Sequence, residues 1–115
     1  MAETPKNSKN PLYQLLHKER VASFNEKLVA SKEKITFEGL TFRGLDLRGM
    51  EPGNTSFKNC YFRQSDLRGI DFSQSNLEGA SIIGAKISGV YFPKELNASE
   101  IEMSLSHGTR MRYSK

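Results

Sequence analysis

A chain of 115 residues, 37% hydrophobic and 26% charged, has material for one small core and not for two. No apolar run approaches the roughly 18 residues that cross a membrane, and the polar opening from Met1 to Asn10 lacks the apolar centre of a secretory signal, so a cytoplasmic protein without membrane insertion is expected. The formal net charge of +4 is spread among interleaved acidic residues, and the single cysteine, Cys60, excludes an internal disulfide.

Residues 1–10 have the composition of a disordered tail. Asn10-Pro11 then reads as an N-cap followed by proline at the first helical position, which opens a helical cap or arm over residues 11–34. Its apolar residues form two stripes. Leu12, Leu15 and Leu16 share one face, whereas Val21, Phe24 and Leu28 lie roughly half a turn away at about 100° per residue. One straight helix cannot bury both against one surface. Either it breaks between Lys18 and Arg20 into two short helices, or Leu12, Leu15 and Leu16 form an arm that docks on a partner.

From Ile35 to Phe92 the sequence repeats every five positions without insertion or deletion. The column from Phe37 through Phe42 and Leu47 to Phe92 is large and apolar at eleven of twelve positions, broken only by Pro52. Two residues upstream runs a second column, from Ile35 to Val90, that is apolar or small throughout and contains Cys60, expected as an inert core thiol. Seven of the nine glycines fall in step two residues after the large column. A period of five fits neither helix nor flat strand, so the unit bends at each recurrence, and units of this kind bury their apolar faces by stacking on neighbours.

Ser65-Asp66-Leu67-Arg68-Gly69, Ser75-Asn76-Leu77-Glu78-Gly79 and Ala80-Ser81-Ile82-Ile83-Gly84 resemble the repeat unit of the pentapeptide-repeat family. The resemblance implies a mainly β fold over residues 35–94: a right-handed quadrilateral β-helix with four pentapeptides to a coil and about three coils, roughly 14 Å tall, with short N- and C-terminal helices as caps. Residues twenty apart would stack, Phe37 on Phe57 on Leu77 and Phe42 on Phe62 on Ile82. Glu51-Pro52-Gly53-Asn54 has strong turn chemistry and is expected to bulge without losing register. The first coil needs a lid over its open cross-section, and Val21, Phe24 and Leu28 are its natural complement.

Outward positions carry the candidate recognition groups. Arg43 and Arg63 should stack on the second face, beside a third face with Asp46, Arg48, Asp66, Arg68 and Lys86. The four arginines form either a ridge for an anionic partner or, on the third face, a solvated ladder with their aspartates. Tyr61, Ile83 and Tyr91 also point outward by phase and suggest an interface.

The repeat ends at Pro93-Lys94, leaving residues 95–115 for a C-terminal helix and a basic tail. Asn97 reads as the N-cap of a helix from Ala98 to His107, with Ile101 and Leu105 on one face and Gly108 as its stop. That helix should cover the last coil or pair with its counterpart in a second copy, so a homodimer through it or through the N-terminal arm is open. His107 suits the helix dipole better than catalysis, and Thr109 to Lys115 reads as a mobile tail.

His17 and His107 lack companions at metal spacing, and no P-loop, dinucleotide fingerprint or nucleophile elbow occurs, so no enzyme activity, cofactor or metal is expected. The expected function is that of an interaction or scaffold module, docking a protein partner through its helical ends or its faces. The resemblance implies an alternative, modulation of DNA gyrase or topoisomerase as in quinolone-resistance members that resemble duplex DNA. Such mimicry needs a long acidic rod, and Ile35 to Lys94 carries seven basic and six acidic residues, which argues against it. Binding of nucleic acid or another anionic surface through the arginine ridge is the remaining alternative.

Overall fold

The computed structural model describes residues 8–114. Three helices, α1 (Pro11–His17), α2 (Val21–Ala30) and α3 (Ala98–His107), flank a stacked coil. The coil is defined by parallel bridges between residues twenty apart: Thr36, Ser56 and Asn76 on a first face, Thr41, Tyr61 and Ser81 on a second, Asp46, Asp66 and Lys86 on a third, and Asp71 with Tyr91 on a fourth. Most bridges are a reciprocal exchange, as where Phe37 N–H donates to Ser56 O at 2.8 Å and Ser56 N–H to Ile35 O at 2.9 Å. Among the described residues the pairing stays at single bridges and no continuous sheet forms. The reason is geometric: every face lasts one pentapeptide before a corner, most of them with positive φ, such as Gly44 at 68° or Asn59 at 61°, and a ladder needs longer strands.

Both columns point inward. Phe37, Phe42, Leu47, Phe57, Phe62, Leu67, Phe72, Leu77 and Ile82 are buried, and the Phe42 and Phe62 rings stack at 5.1 Å with their planes 10° apart. The small column does more than leave room. The Ser65 hydroxyl donates to the Phe42 carbonyl, Ser75 Oγ donates to Gly53 O at 2.8 Å, and Cys60 Sγ lies 3.5 Å from Phe37 O. Each tie joins one coil to the coil beneath it. Thr55 Oγ1, in the same column, is buried without a hydrogen-bond partner among the described residues.

Pro52 is buried in its column and the register is kept, while the corner itself is irregular, with the positive φ on Gly53, at 54°, one position earlier than at Gly49 or Asn59. What the proline removes is a bridge: among the described residues Glu51 does not pair with Asp71, because Pro52 has no N–H to give. The Glu51 N–H, which faces away from the second coil, donates to Asn25 Oδ1 of α2 at 2.9 Å.

The N-terminal segment is two helices that pack on each other and seal the first coil. Asn10 Oδ1 accepts the Leu12 N–H at 2.8 Å, so residues 8–10 belong to the helix cap and not to a tail; residues 1–7 of that expected tail lie outside the described residues. Glu19, at φ 59°, reverses the chain between the helices and brings both stripes to one surface. The partner-arm reading of Leu12, Leu15 and Leu16 is therefore corrected: Leu16 is fully buried, and Leu12 and Leu15 pack half-buried on the core. Phe24 is also fully buried, with Val21 and Leu28 half-buried beside it. Between the two stripes sits Tyr13, entirely buried, its ring edge-on to Phe42 at 5.2 Å and to Phe37 at 6.2 Å.

At the other end α3 lies over the second face of the last coil. Asn97 caps it by accepting the Glu100 N–H, and Gly108 ends it at φ 75°. Ile82 N–H donates to Ser104 Oγ at 3.0 Å and Gly84 N–H to Leu105 O at 3.1 Å, while Ile101 and Leu105 pack half-buried on the core. The segment after Gly108 is docked, which corrects the expectation of a mobile tail up to Ser114; Lys115 lies outside the described residues. Met111 is fully buried, accepts Gly79 N–H at 2.7 Å and donates to Ala80 O at 2.9 Å, and Tyr113 Oη accepts Leu77 N–H at 2.9 Å. These groups replace a further coil over the first and second faces. Over the third and fourth nothing does so: the N–H groups of Ile87, Gly89 and Phe92 have no partner among the described residues, and Ile87, Val90 and Phe92 are only half-buried.

Candidate interaction surfaces

On the third face the arginines are spoken for. The Arg48 guanidinium lies 2.8 Å from the Asp46 carboxylate and 3.4 Å from that of Asp66, and Arg68 lies 2.6 Å from Asp66. Asp46 and Asp66 also accept the backbone N–H of Arg48 and Arg68, each at 3.2 Å, so the Asp-x-Arg spacing folds its own corner. The hydrogen bond from Arg68 is the chief reason that the Asp66 carboxyl is held down at about 2, and that from Arg48 lowers Asp46 likewise. Arg48 and Arg68 thus belong to a charge ladder, and the expected ridge of four free arginines is corrected to two.

Those two are Arg43 and Arg63 on the second face, both exposed and without an ion pair among the described residues. Beside them, two residues before Arg63 and paired with Thr41, stands Tyr61, half-buried, with the Arg110 guanidinium 5.6 Å above its ring and 2.5 Å from its hydroxyl. Ile83 points outward as its phase requires but is half covered by the Gly108 turn, where Ser81 Oγ donates to Gly108 O at 3.1 Å. A cleft of about 380 Å³ results, lined by Thr41, Arg43, Tyr61, Arg63, Ile83 and His107 among others. Sequence reasoning placed Arg43, Tyr61, Arg63 and Ile83 by phase and missed that the end of α3 and the tail join them. The signal that could have found this is the Gly108 stop, which turns the chain back over the face α3 covers.

Tyr91 lies on the fourth face, 67% exposed, apart from this cleft, and Val29 and Met103 are exposed apolar groups elsewhere. Among the described residues no group of His, Cys, Asp and Glu could hold a metal ion, and no helix is long and apolar enough to cross a membrane. The buried Cys60 thiol is pushed up to about 12 by burial, which keeps it protonated and unreactive at neutral pH.

A coil built from five-residue units, with its apolar columns inside, defines a repeat architecture. Residues 55–92 match the family model for pentapeptide repeats in eight copies, and this segment belongs to that family. The first coil, residues 35–54, lies outside the match and is joined to it by the same bridges. Neither the curated proteins nor the solved structures yield a match.

Proposed function

We propose that this protein is a non-enzymatic scaffold, a short right-handed quadrilateral β-helix that docks a cytoplasmic protein partner through its C-terminal end and walls. The observation that carries this is the inequality of the two ends. Tyr13, Leu16 and Phe24, all fully buried, seal the first coil, whereas the last coil keeps Ile87, Val90 and Phe92 half open beside three unpartnered backbone N–H groups. An apolar end edged by backbone donors is a surface that another chain completes. Modulation of gyrase by imitating duplex DNA draws less support, since Asp46 and Asp66, the carboxylates such an imitation would present, are neutralised by Arg48 and Arg68.

The test is a photo-crosslinker placed at Ser88 in the cell of origin, with and without Val90→Glu. One dominant adduct that disappears in a normally melting Val90→Glu variant is expected. No adduct, or adducts indifferent to Val90→Glu, would overturn the reading, and a self-adduct identifies a second copy as the partner.

A further inference from the structure

We infer that the cleft on the second face receives a short acidic segment of the docking partner, a carboxylate-bearing peptide with an apolar residue beside its charge; this deepens the docking function proposed above. The inference starts from a comparison between two faces built alike. On the third face, the residue two before each arginine is aspartate, and each aspartate both folds the corner and neutralises its arginine at 2.8 and 2.6 Å. On the second face the equivalent residues are Thr41 and Tyr61. Thr41 Oγ1 still accepts the Arg43 N–H, at 3.3 Å, so the corner is kept while the countercharge is gone.

Arg43 and Arg63 stand one coil apart on neighbouring strands, about 4.8 Å by the usual strand spacing, where two like charges repel unless an anion sits between them. A guanidinium offers a planar fork to a carboxylate, and two forks side by side hold one or two carboxylates with direction as well as charge. The C-terminal cap adds His107 to the rim and stacks Arg110 on Tyr61, while Ile83 and the Tyr61 ring give the cleft an apolar floor. No carboxylate lines it.

The surroundings limit what fits. On the first face Lys58 stands between Glu38 and Glu78, and on the third each aspartate is already paired with an arginine, so the uncompensated positive charge is confined to a narrow strip on the second face. A nucleic acid wider than the strip would extend onto walls whose charges are already balanced, whereas a narrow peptide laid along the cleft meets the uncompensated arginines alone.

Fluorescence polarisation with a labelled Gly-Glu-Glu-Leu-Glu-Gly peptide tests this on the whole protein. Saturable binding is expected, about tenfold or more weaker for the peptide with Gln in place of Glu, lost in the Arg43→Gln/Arg63→Gln double variant and kept in Arg48→Gln, with all variants melting alike. Absence of saturation, equal binding of the Gln peptide or indifference to the double variant would overturn it. So would tighter binding of an oligothymidylate of equal charge, which would make the strip a nucleic-acid site. If the peptide fails while the Ser88 crosslink persists, only the cleft is lost; if the crosslink fails as well, the docking function goes with it.

Discussion

The Tyr13 hydroxyl donates to the Thr41 carbonyl at 2.6 Å from a side chain that no solvent reaches. In the coil above, the equivalent carbonyl, Tyr61 O, accepts the Phe42 N–H at 2.7 Å. Tyr13 thus stands in for a strand that the first coil lacks beneath it. Tyr113 does the complementary service at the opposite end, accepting the Leu77 N–H. Removing the hydroxyl in Tyr13→Phe leaves a buried carbonyl unpaired and should cost about 1–3 kcal/mol, and Tyr13→Ala about 3–5 kcal/mol, in chemical denaturation. A neutral Tyr13→Phe would mean that water reaches Thr41 O.

Burial pushes the Tyr13 phenol up to about 12, against about 10 in an unfolded chain. A raised acid contributes its full stability below the unfolded value and loses it as pH climbs to the folded one, so this contribution fades between about pH 10 and 12. Melting temperatures from pH 8 upward should fall more steeply for the wild type than for Tyr13→Phe. Parallel curves would remove Tyr13 as the cause.

Thr55 has a hydroxyl that Ser65 and Ser75, in the same column, put to use and Thr55 does not. Thr55→Val should therefore stabilise the protein by about 1 kcal/mol, whereas Ser65→Ala should destabilise it by a similar amount. Denaturation midpoints of the two variants decide it, and a destabilised Thr55→Val would point to a partner for the hydroxyl.

Met111 is buried to its last atom. Met111→Ser should cost about 2–4 kcal/mol, and truncation after Gly108 should speed hydrogen exchange at Leu77 and Gly79, whose N–H groups the tail receives. Unchanged exchange at both would show that the tail does not cover the first face in solution.

Cys60, its thiol protonated to about 12, should resist iodoacetamide at pH 8 in the native protein and react at once in denaturant. Labelling of the native thiol at the rate of a free one would place it outside the core.

That the chain bends every five residues was legible in the period itself, while the stacking of residues twenty apart rested on the resemblance to pentapeptide repeats, and the pairs Phe37 with Phe57 and Phe42 with Phe62 meet accordingly at 5.7 and 5.1 Å. Phe24 was legible from the helical wheel. Tyr13 was not, since a phenol reads as half polar, yet its spacing of three from Leu16 already put it on a buried stripe. Met111 and Tyr113 alternate as in a strand, a signal hidden by the arginines at 110 and 112. The cleft was legible only in part: phase placed its wall, but which wall the C-terminal segment would fold over depends on contacts far apart in sequence.

Because the wall returns to the same azimuth every twenty residues, the molecule has a natural unit of growth. Inserting one such unit would move the two lids apart by about 4.8 Å and keep them facing the same way, whereas inserting a single pentapeptide would leave the interior satisfied and rotate one lid by a quarter turn. Distance and orientation between the two lids therefore change together in discrete steps, and whole coils alone change the distance while keeping the orientation.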